Sequence, residues 1–203
     1  MAGRKAFRGE GGRPRAYLAG PEVFHPEARA LGEAKAALCR EMGFEGAFPL
    51  DAALDLEGLP KPEQARRIYL ADIALMDGAD LAICNLTPFR GVSMDSGTAF
   101  EAGYMRAQGK PVFGYSNVAA DYRRRAEAFR KAVAGAGKDL ADADRADMAI
   151  EDFGLAENLM IEIAIRESGG TVVCGAVGPG REMEDLTGFR ACLAQARALL
   201  LDM

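Results

Sequence analysis

The chain has 203 residues, a single histidine and no tryptophan. This length suffices for one α/β domain with a sizeable core, held together without disulfides or structural metals. Because His25 is the only imidazole, any site that needs two histidines is excluded. Acid/base or covalent chemistry therefore falls to carboxylates, tyrosines or cysteines. The net charge of −5 makes nucleic acid a poor default partner.

The cysteines and the hydropathy pattern favour a cytoplasmic protein. Cys39, Cys84, Cys174 and Cys192 show no CxxC or other metal-ligand spacing, so we expect reduced, buried thiols and no metal site. No apolar run approaches the roughly 18 residues of a membrane span. The N-terminus also lacks the apolar core of a secretory signal.

The first 14 residues are rich in glycine and arginine and lack a hydrophobic period, which predicts a flexible basic tail. A single domain is expected to follow over residues 15–203, in which strands alternate with helices. Strands are predicted over residues 15–19, 46–50, 81–84, 112–115 and 171–174. Helices are predicted over residues 27–42, 63–77, 96–108, 157–167 and 182–201. Residues 119–150 are charged and alanine-rich, and are predicted to be helical with a break at 134–138.

This alternation predicts an α/β fold: a doubly wound three-layer sandwich with a mostly parallel sheet of about five strands. Ligands in such folds bind beyond the C-terminal ends of the strands, near the point where the strand order reverses. The loops over residues 20–26, 85–95 and 115–122 are therefore the predicted location of a site.

Asp72 is an acid on the apolar side of a predicted helix. Its neighbours one helical turn away are Ile68, Tyr69, Leu75 and Met76. An ionised carboxylate in such surroundings needs a partner. Asp72 is therefore either a structural acid, which caps a loop or pairs with an arginine, or a general acid whose pKa is raised by burial.

Two further acids lie near the C-terminal edge of the predicted sheet. Asp95 directly precedes a predicted helix and is expected to be its N-cap. Glu101 follows on the same helix, on a face with little charge that includes Gly97; the alternative is an ordinary solvated acid. Tyr17 lies in the first strand beside the same edge. The residues alone thus predict a cleft lined by Tyr17, Asp72, Asp95 and Glu101.

Four ordered segments resemble the nucleoside 2-deoxyribosyltransferase family, and together they span about residues 15–178. They are residues 17–24 (YLAGPEVF), 71–73 (ADI), 95–112 (DSGTAFEAGYMRAQGKPV) and 158–160 (NLM). The Asp-x-Gly-x-Ala-x-Glu run is the most specific of them. The resemblance implies a flavodoxin-like sheet and a ping-pong transfer of 2-deoxyribose between nucleobases, in nucleoside salvage.

The resemblance also implies a role for each matching residue. Glu101 would be the nucleophile at C1′ of a 2′-deoxynucleoside, Tyr17 would orient it, and Asp72 would protonate the departing base. Asp95 would bind the 5′-hydroxyl of deoxyribose. The other implied substrate-binding residues are Gly20, Phe24, Asn158 and Met160.

The family further implies that Asn158 reaches the site of a neighbouring subunit in a homo-oligomer, and that Met160 packs beside the nucleophile. The implied partners are 2′-deoxynucleosides and free nucleobases, without a cofactor. Membranes and nucleic acid are not expected to be partners.

Two other functions remain open. A different N-glycosidase, which hydrolyses deoxynucleosides or deoxynucleoside 5′-monophosphates, would use a similar nucleophile. The loop after the first strand has no arginine- or serine-rich phosphate pocket, and a 5′-phosphate beside Asp95 would be repelled. The second alternative is a nucleotide-binding module without catalysis, although such a module has no need of Glu101.

Overall fold

The computed structural model describes residues 9–51, 54–135 and 148–202. Its strands are β1 (Arg15–Ala19), β2 (Glu45–Ala47), β3 (Leu81–Asn85), β4 (Val112–Ser116) and β5 (Val172–Cys174). Its α-helices are α1 (Ala28–Glu41), α2 (Lys61–Asp77), α3 (Ser96–Ala107), α4 (Tyr122–Gly135), α5 (Leu159–Glu167) and α6 (Thr187–Leu200). Short 3₁₀ helices cover Glu10–Gly12, Pro21–Phe24 and Pro49–Asp51.

The five strands form one sheet in the order β2-β1-β3-β4-β5, and every neighbouring pair is parallel. This confirms the predicted α/β fold with a parallel sheet. The order is that of flavodoxin-like folds, and it reverses between β1 and β3. The crevice beyond the C-terminal ends of these two strands is therefore where a ligand site is expected.

Each face of the sheet has its own apolar core. Leu18 of β1 packs into a core with Leu38 of α1 and Phe189 of α6. Tyr17 points to the opposite face, into a core that includes Met76 of α2 and Met105 of α3. The separation follows from the two-residue repeat of a strand, which sends successive side chains to opposite faces. Tyr17 therefore lies on the face of the sheet that α2 and α3 cover.

Several predicted boundaries are wrong by a few residues. The strand predicted over 46–50 stops at Ala47, because the chain turns into a 3₁₀ helix in which Phe48 N–H donates to Asp51 Oδ2 at 2.8 Å. The last helix begins at Thr187 instead of 182. The side-chain amide of Asn117 there donates to the carbonyl groups of Glu182 and Asp185 and holds the preceding residues in a turn.

The long helical prediction over 119–150 is correct only in part. Helix α4 covers its first half, residues 136–147 lie outside the described residues, and residues 148–150 are not helical. The next helix starts at Leu159, two residues later than predicted. The side chain of Asn158 accepts a hydrogen bond from Met160 N–H there and so caps the helix.

Other predictions concern the termini and the surface. Of the predicted basic tail, residues 1–8 lie outside the described residues, and the flexibility of the tail stays a prediction. All four cysteines are free, but the expectation that all are buried is wrong at Cys174, which is exposed on the edge strand β5. None of the helices in the described ranges is long and apolar enough to cross a membrane.

Candidate active site

Tyr17 and Glu101 form the closest polar contact of the site. Tyr17 belongs to β1, is fully buried, and donates its hydroxyl to Glu101 Oε1 at 2.5 Å. Glu101 projects from the middle of α3, the helix that covers this face of the sheet. The predicted cleft thus brings together two residues from distant parts of the chain. The alternative of an ordinary solvated Glu101 is wrong.

The surroundings of Glu101 favour its neutral form more than water does. Burial raises the pKa of Glu101 to about 7; the hydrogen bond from Tyr17 opposes this increase, and the charges of Asp72 and Asp95 add to it. Burial and the adjacent Glu101 charge hold the pKa of Tyr17 far above its usual range. Tyr17 therefore stays protonated and acts only as a hydrogen-bond donor.

Asp72 lies on α2 and lines the same space as Glu101. Burial raises the pKa of its carboxyl group to about 6. Within residues 9–51, 54–135 and 148–202, no arginine pairs with Asp72 and no donor bonds to it. The structural alternative of a cap or an arginine partner is therefore wrong. An acid near neutrality with no structural partner is suited to proton transfer.

Asp95 caps α3, as predicted. Its Oδ2 accepts hydrogen bonds from Thr98 N–H at 2.9 Å and from the Thr98 hydroxyl at 3.2 Å. This cap fixes the start of the helix that carries Glu101 six residues later. The carboxylate also lines the cavity, so Asp95 combines a structural contact with access to a ligand.

Two adjoining cavities of about 350 and 320 Å³ surround these acids, a size suited to a small ligand. Both are lined by Ile68, Asp72, Gly97 and Glu101. The first extends along the exposed rings of Tyr69 and Phe100. The second extends to Gly20, Val23, Phe24, Pro49, Leu50, Asp95 and Thr98. The structure therefore gathers Asp72, Asp95, Glu101, Gly20 and Phe24 around one space, with Tyr17 bonded to Glu101.

Asn158 and Met160 do not line either cavity. The amide of Asn158 donates to Glu151 Oε1 at 2.7 Å while its oxygen caps α5, and 70% of Met160 is exposed. Within one chain these two residues are therefore separate from the carboxylates. Their substrate-binding roles stay predictions that require a second subunit.

Glu22 is a buried residue of this region that sequence reasoning missed. Its Oε1 accepts hydrogen bonds from the ammonium of Lys35, from Asn85 Nδ2 at 2.9 Å and from the Tyr115 hydroxyl at 2.8 Å. Burial alone would raise the pKa of Glu22, but the ammonium of Lys35 holds it below the usual value. The sequence signal that could have pointed to Glu22 was Lys35, a lysine that lies among the apolar residues on one side of the first predicted helix.

This buried carboxylate explains why residue 20 is a glycine. A Cβ atom on Gly20 would lie 2.0 Å from Glu22 Oε2 and 2.9 Å from the Cβ of Asn85. No side chain fits there unless Glu22 moves. Gly20 thus lets the loop after β1 pass close over the ends of β1 and β3, where it forms one wall of the cavity.

An aromatic stack forms the outer part of this loop. The ring of Phe24 stacks on Phe89 at 5.4 Å between centroids, and the guanidinium of Arg90 lies over both rings.

His25 lines neither cavity; its Nδ1 accepts from Glu27 N–H at 3.1 Å in the following turn. This contact places His25 in the turn that leads into α1.

Among the residues that the structure describes, no group of three or more histidine, cysteine or acidic side chains is arranged to hold a metal ion. The polar groups of the site include its carboxylates and the hydroxyl of Tyr17. This set is suited to nucleophilic attack by Glu101 and proton transfer by Asp72.

Comparisons with known proteins show which family this chain resembles. A family model described as nucleoside 2-deoxyribosyltransferase matches residues 16–160. An uncharacterized protein of Schizosaccharomyces pombe is 36% identical over 171 residues, which cover 78% of this chain and 80% of that protein.

Solved structures are also similar. A 2-deoxyribosyltransferase from Leishmania mexicana has a TM-score of 0.54 at 30% identity, over 73% of this chain and 85% of that one. A conserved protein from Enterococcus faecalis has a TM-score of 0.51 at 20% identity, over 91% of this chain and 99% of that one, and supports the fold alone. Because the family model matches most of its length, this chain belongs to the nucleoside 2-deoxyribosyltransferase family.

Proposed function

We propose that this protein transfers the 2-deoxyribosyl group between nucleobases, with Glu101 as the nucleophile. The observation that carries the proposal is the hydroxyl of Tyr17, which donates to Glu101 at 2.5 Å in a cavity that Asp72 also lines. Membership of the nucleoside 2-deoxyribosyltransferase family supports this class of enzyme. The substrates are 2′-deoxynucleosides and free nucleobases.

In the first step the Glu101 carboxylate attacks C1′ of the deoxynucleoside. The C1′–N bond breaks as the glycosyl ester forms, and the bonding pair leaves with the base. Asp72 protonates the base nitrogen as it departs. A carboxylate stabilises the positive charge that develops at C1′ before the ester bond is complete.

The second step reverses these roles with another base. A nitrogen of the incoming base attacks C1′, its proton passes to the Asp72 carboxylate, and Glu101 is released as a carboxylate. Two steps allow a base to take the place of water. The same two carboxyl groups therefore complete a cycle that consumes no cofactor.

The pKa values of the two acids set how often the site is ready for this cycle. Attack needs an ionised Glu101, and departure of the base needs a protonated Asp72. With a pKa of about 7 for Glu101 and about 6 for Asp72, the pair holds close to one proton between these pH values. Because Glu101 has the higher pKa, this proton lies mainly on Glu101, so the reactive arrangement with the proton on Asp72 is the minor one in the free site.

We assign substrate recognition to residues that line the second cavity. Asp95 binds the 5′-hydroxyl of deoxyribose, and its charge disfavours a 5′-phosphate. The surfaces around Gly20 and Phe24 hold the flat base. Asn158 comes from a neighbouring subunit of a homo-oligomer, and it lines neither cavity of its own chain.

The cellular setting is part of the same proposal. We place a single domain over residues 15–203 in the cytoplasm, where free thiols such as those of this chain stay reduced. Its role there is nucleoside salvage, and nucleic acid is not a partner.

Incubation with deoxyinosine or thymidine plus adenine, followed by chromatography, tests this function. Deoxyadenosine is the expected product, whereas free deoxyribose alone would identify a hydrolase. Absence of any reaction, with deoxynucleoside monophosphates as well, would favour a binding module. Glu101→Ala is expected to abolish both transfer and hydrolysis while circular dichroism shows an intact fold. Near-normal turnover by this variant would contradict the assignment of the nucleophile.

A further inference from the structure

Glu157 is a fully buried carboxylate just before α5, outside both cavities. Its Oε1 accepts hydrogen bonds from the Ser93 hydroxyl at 2.5 Å and from Asn158 N–H at 3.0 Å. Its Oε2 accepts from Met94 N–H at 3.0 Å and from the guanidinium of Arg125 at 3.2 Å. Four donors around one buried carboxylate make a strong anchor, because charged acceptors form the stronger hydrogen bonds.

Two of these donors belong to the residues directly before Asp95. The segment from Leu86 to Met94 has no regular secondary structure, and Arg90 within it adopts a positive φ of 56°. The third contact to this segment comes from Arg125, whose Nε donates to the carbonyl of Val92 at 2.8 Å. Arg125 and Glu157 therefore hold three consecutive residues immediately ahead of Asp95.

We propose that Glu157 is a positioning residue for recognition of the sugar, acting through residues 92–94 to place the Asp95 carboxylate. The inference rests on the proposed function, in which Asp95 binds the 5′-hydroxyl. The Asp95 side chain is already fixed at one oxygen by its cap on α3. The backbone that leads into this cap is fixed by Glu157, which comes from a segment 63 residues further along the chain.

Glu157→Gln is the most informative substitution, because it keeps the shape of the side chain and removes its charge. An amide presents only one acceptor oxygen, so its NH₂ group would face donors that now bond to Oε2. We expect residues 92–94 to shift and Asp95 with them. Displacement of a binding group by about 1 Å costs up to about a hundredfold in rate.

The test compares two substrates that share a base: a 2′-deoxynucleoside and the matching 2′,5′-dideoxynucleoside, which has no 5′-hydroxyl. For Glu157→Gln we expect kcat/KM to fall about tenfold to a hundredfold on the first substrate and to change little on the second. The preference of the wild-type protein for the 5′-hydroxyl would then largely disappear. A purely structural role would lower both values together.

Glu162→Gln is the matched control. Glu162 is also buried and belongs to α5; it accepts from Ala156 N–H at 2.6 Å and pairs with Arg166. Among the residues that the structure describes, no hydrogen bond joins Glu162 to residues 92–95. We expect Glu162→Gln to lose stability and keep the wild-type preference for the 5′-hydroxyl.

Ser93→Ala is the second variant, and it removes only one of the four bonds to Glu157. We expect it to reduce the preference in the same direction by a smaller factor. Equal losses on both substrates in Glu157→Gln would overturn the inference. If that variant does not fold, an unchanged preference in Ser93→Ala would overturn it instead. A wild-type protein that reacts with neither substrate would overturn the proposed function, and this inference with it.

Discussion

The hydroxyl of Tyr17 lies 2.5 Å from Oε1 of Glu101, although 84 residues separate them in the chain. The hydrogen bond opposes the effect of burial on the pKa of Glu101 and so favours the carboxylate. Because Tyr17 is fully buried in β1, its hydroxyl has little freedom to leave this position. The contact therefore both orients the proposed nucleophile and keeps more of it ionised.

Tyr17→Phe should lower kcat/KM about tenfold to a hundredfold, since a hydrogen bond to a charged group contributes about 1.5–3 kcal/mol. It should also raise the pKa of Glu101, because the donor that stabilises the carboxylate is lost. The midpoint of the Glu101 titration, followed by NMR of its carboxyl carbon, is then expected to move to higher pH. A midpoint that stays in place would show that Tyr17 does not influence the ionisation of Glu101.

Asp72→Asn should have the opposite effect on the Glu101 titration. The charge of Asp72 raises the pKa of Glu101, so its removal should move the midpoint of that titration to lower pH. Loss of the general acid should reduce the rate about 10²-fold or more. The loss should be smallest for deoxynucleosides whose bases depart readily without a proton.

Asp77→Asn is the matched control for this change. It removes the same charge from the same helix, and Asp77 lines neither cavity. We expect near wild-type rates and an unchanged midpoint of the Glu101 titration. An equal loss across all leaving bases in Asp72→Asn would contradict its role as the acid.

Glu101→Gln should stabilise the fold at pH 8 by about 1–3 kcal/mol and much less at pH 5. The folded chain keeps a proton on Glu101 up to about pH 7, whereas the ordinary pKa of 4.5 applies once the chain unfolds. Between these values the folded state binds more protons, so stability from this residue is lost as the pH rises. The amide oxygen still accepts from Tyr17. Urea unfolding at both pH values measures the difference, and an equal gain at each would contradict the explanation.

Gly20→Ala should destabilise the fold by about 1–3 kcal/mol through overpacking. The added methyl group would lie 2.0 Å from Glu22 Oε2, and Glu22 is itself fixed by Lys35. The loop that lines the cavity should shift, so KM is expected to rise as well. Gly91→Ala is the control, because a Cβ atom there meets nothing within 4 Å. Similar melting temperatures for the two variants would contradict this account.

The sequence patterns predicted the fold well because the apolar residues of strands and helices recur with short, local periods. The continuous apolar run at residues 81–84 corresponds to β3, which is buried along its whole length. Helix ends were harder to predict, since they depend on contacts with other parts of the chain. Asn117, for example, holds the turn ahead of α6 through bonds that span 65 and 68 residues.

The same limit applies to the site. Asp72 and Asp95 are recognisable from their immediate neighbours, one by the helical period and the other by its place before a helix. Glu22 and Glu157 cannot be recognised in this way, because their hydrogen-bond partners, such as Asn85 and Met94, are distant in sequence. Polar side chains that pair across the fold leave little signal in local composition.

Tyr17, Asp72 and Glu101, which are assigned to bond making and breaking at C1′, all lie in the first half of the chain. Asp95, which is proposed to bind the 5′-hydroxyl of the sugar, also lies there, whereas Glu157 and Asn158, which are proposed to support that recognition, lie in the last quarter. Recognition of the sugar thus depends on two separate stretches, which are joined by tertiary contacts such as the one between Glu157 and Met94. Replacing residues 148–160 with those of a relative is therefore expected to alter tolerance at the 5′ position while the chemistry at C1′ persists.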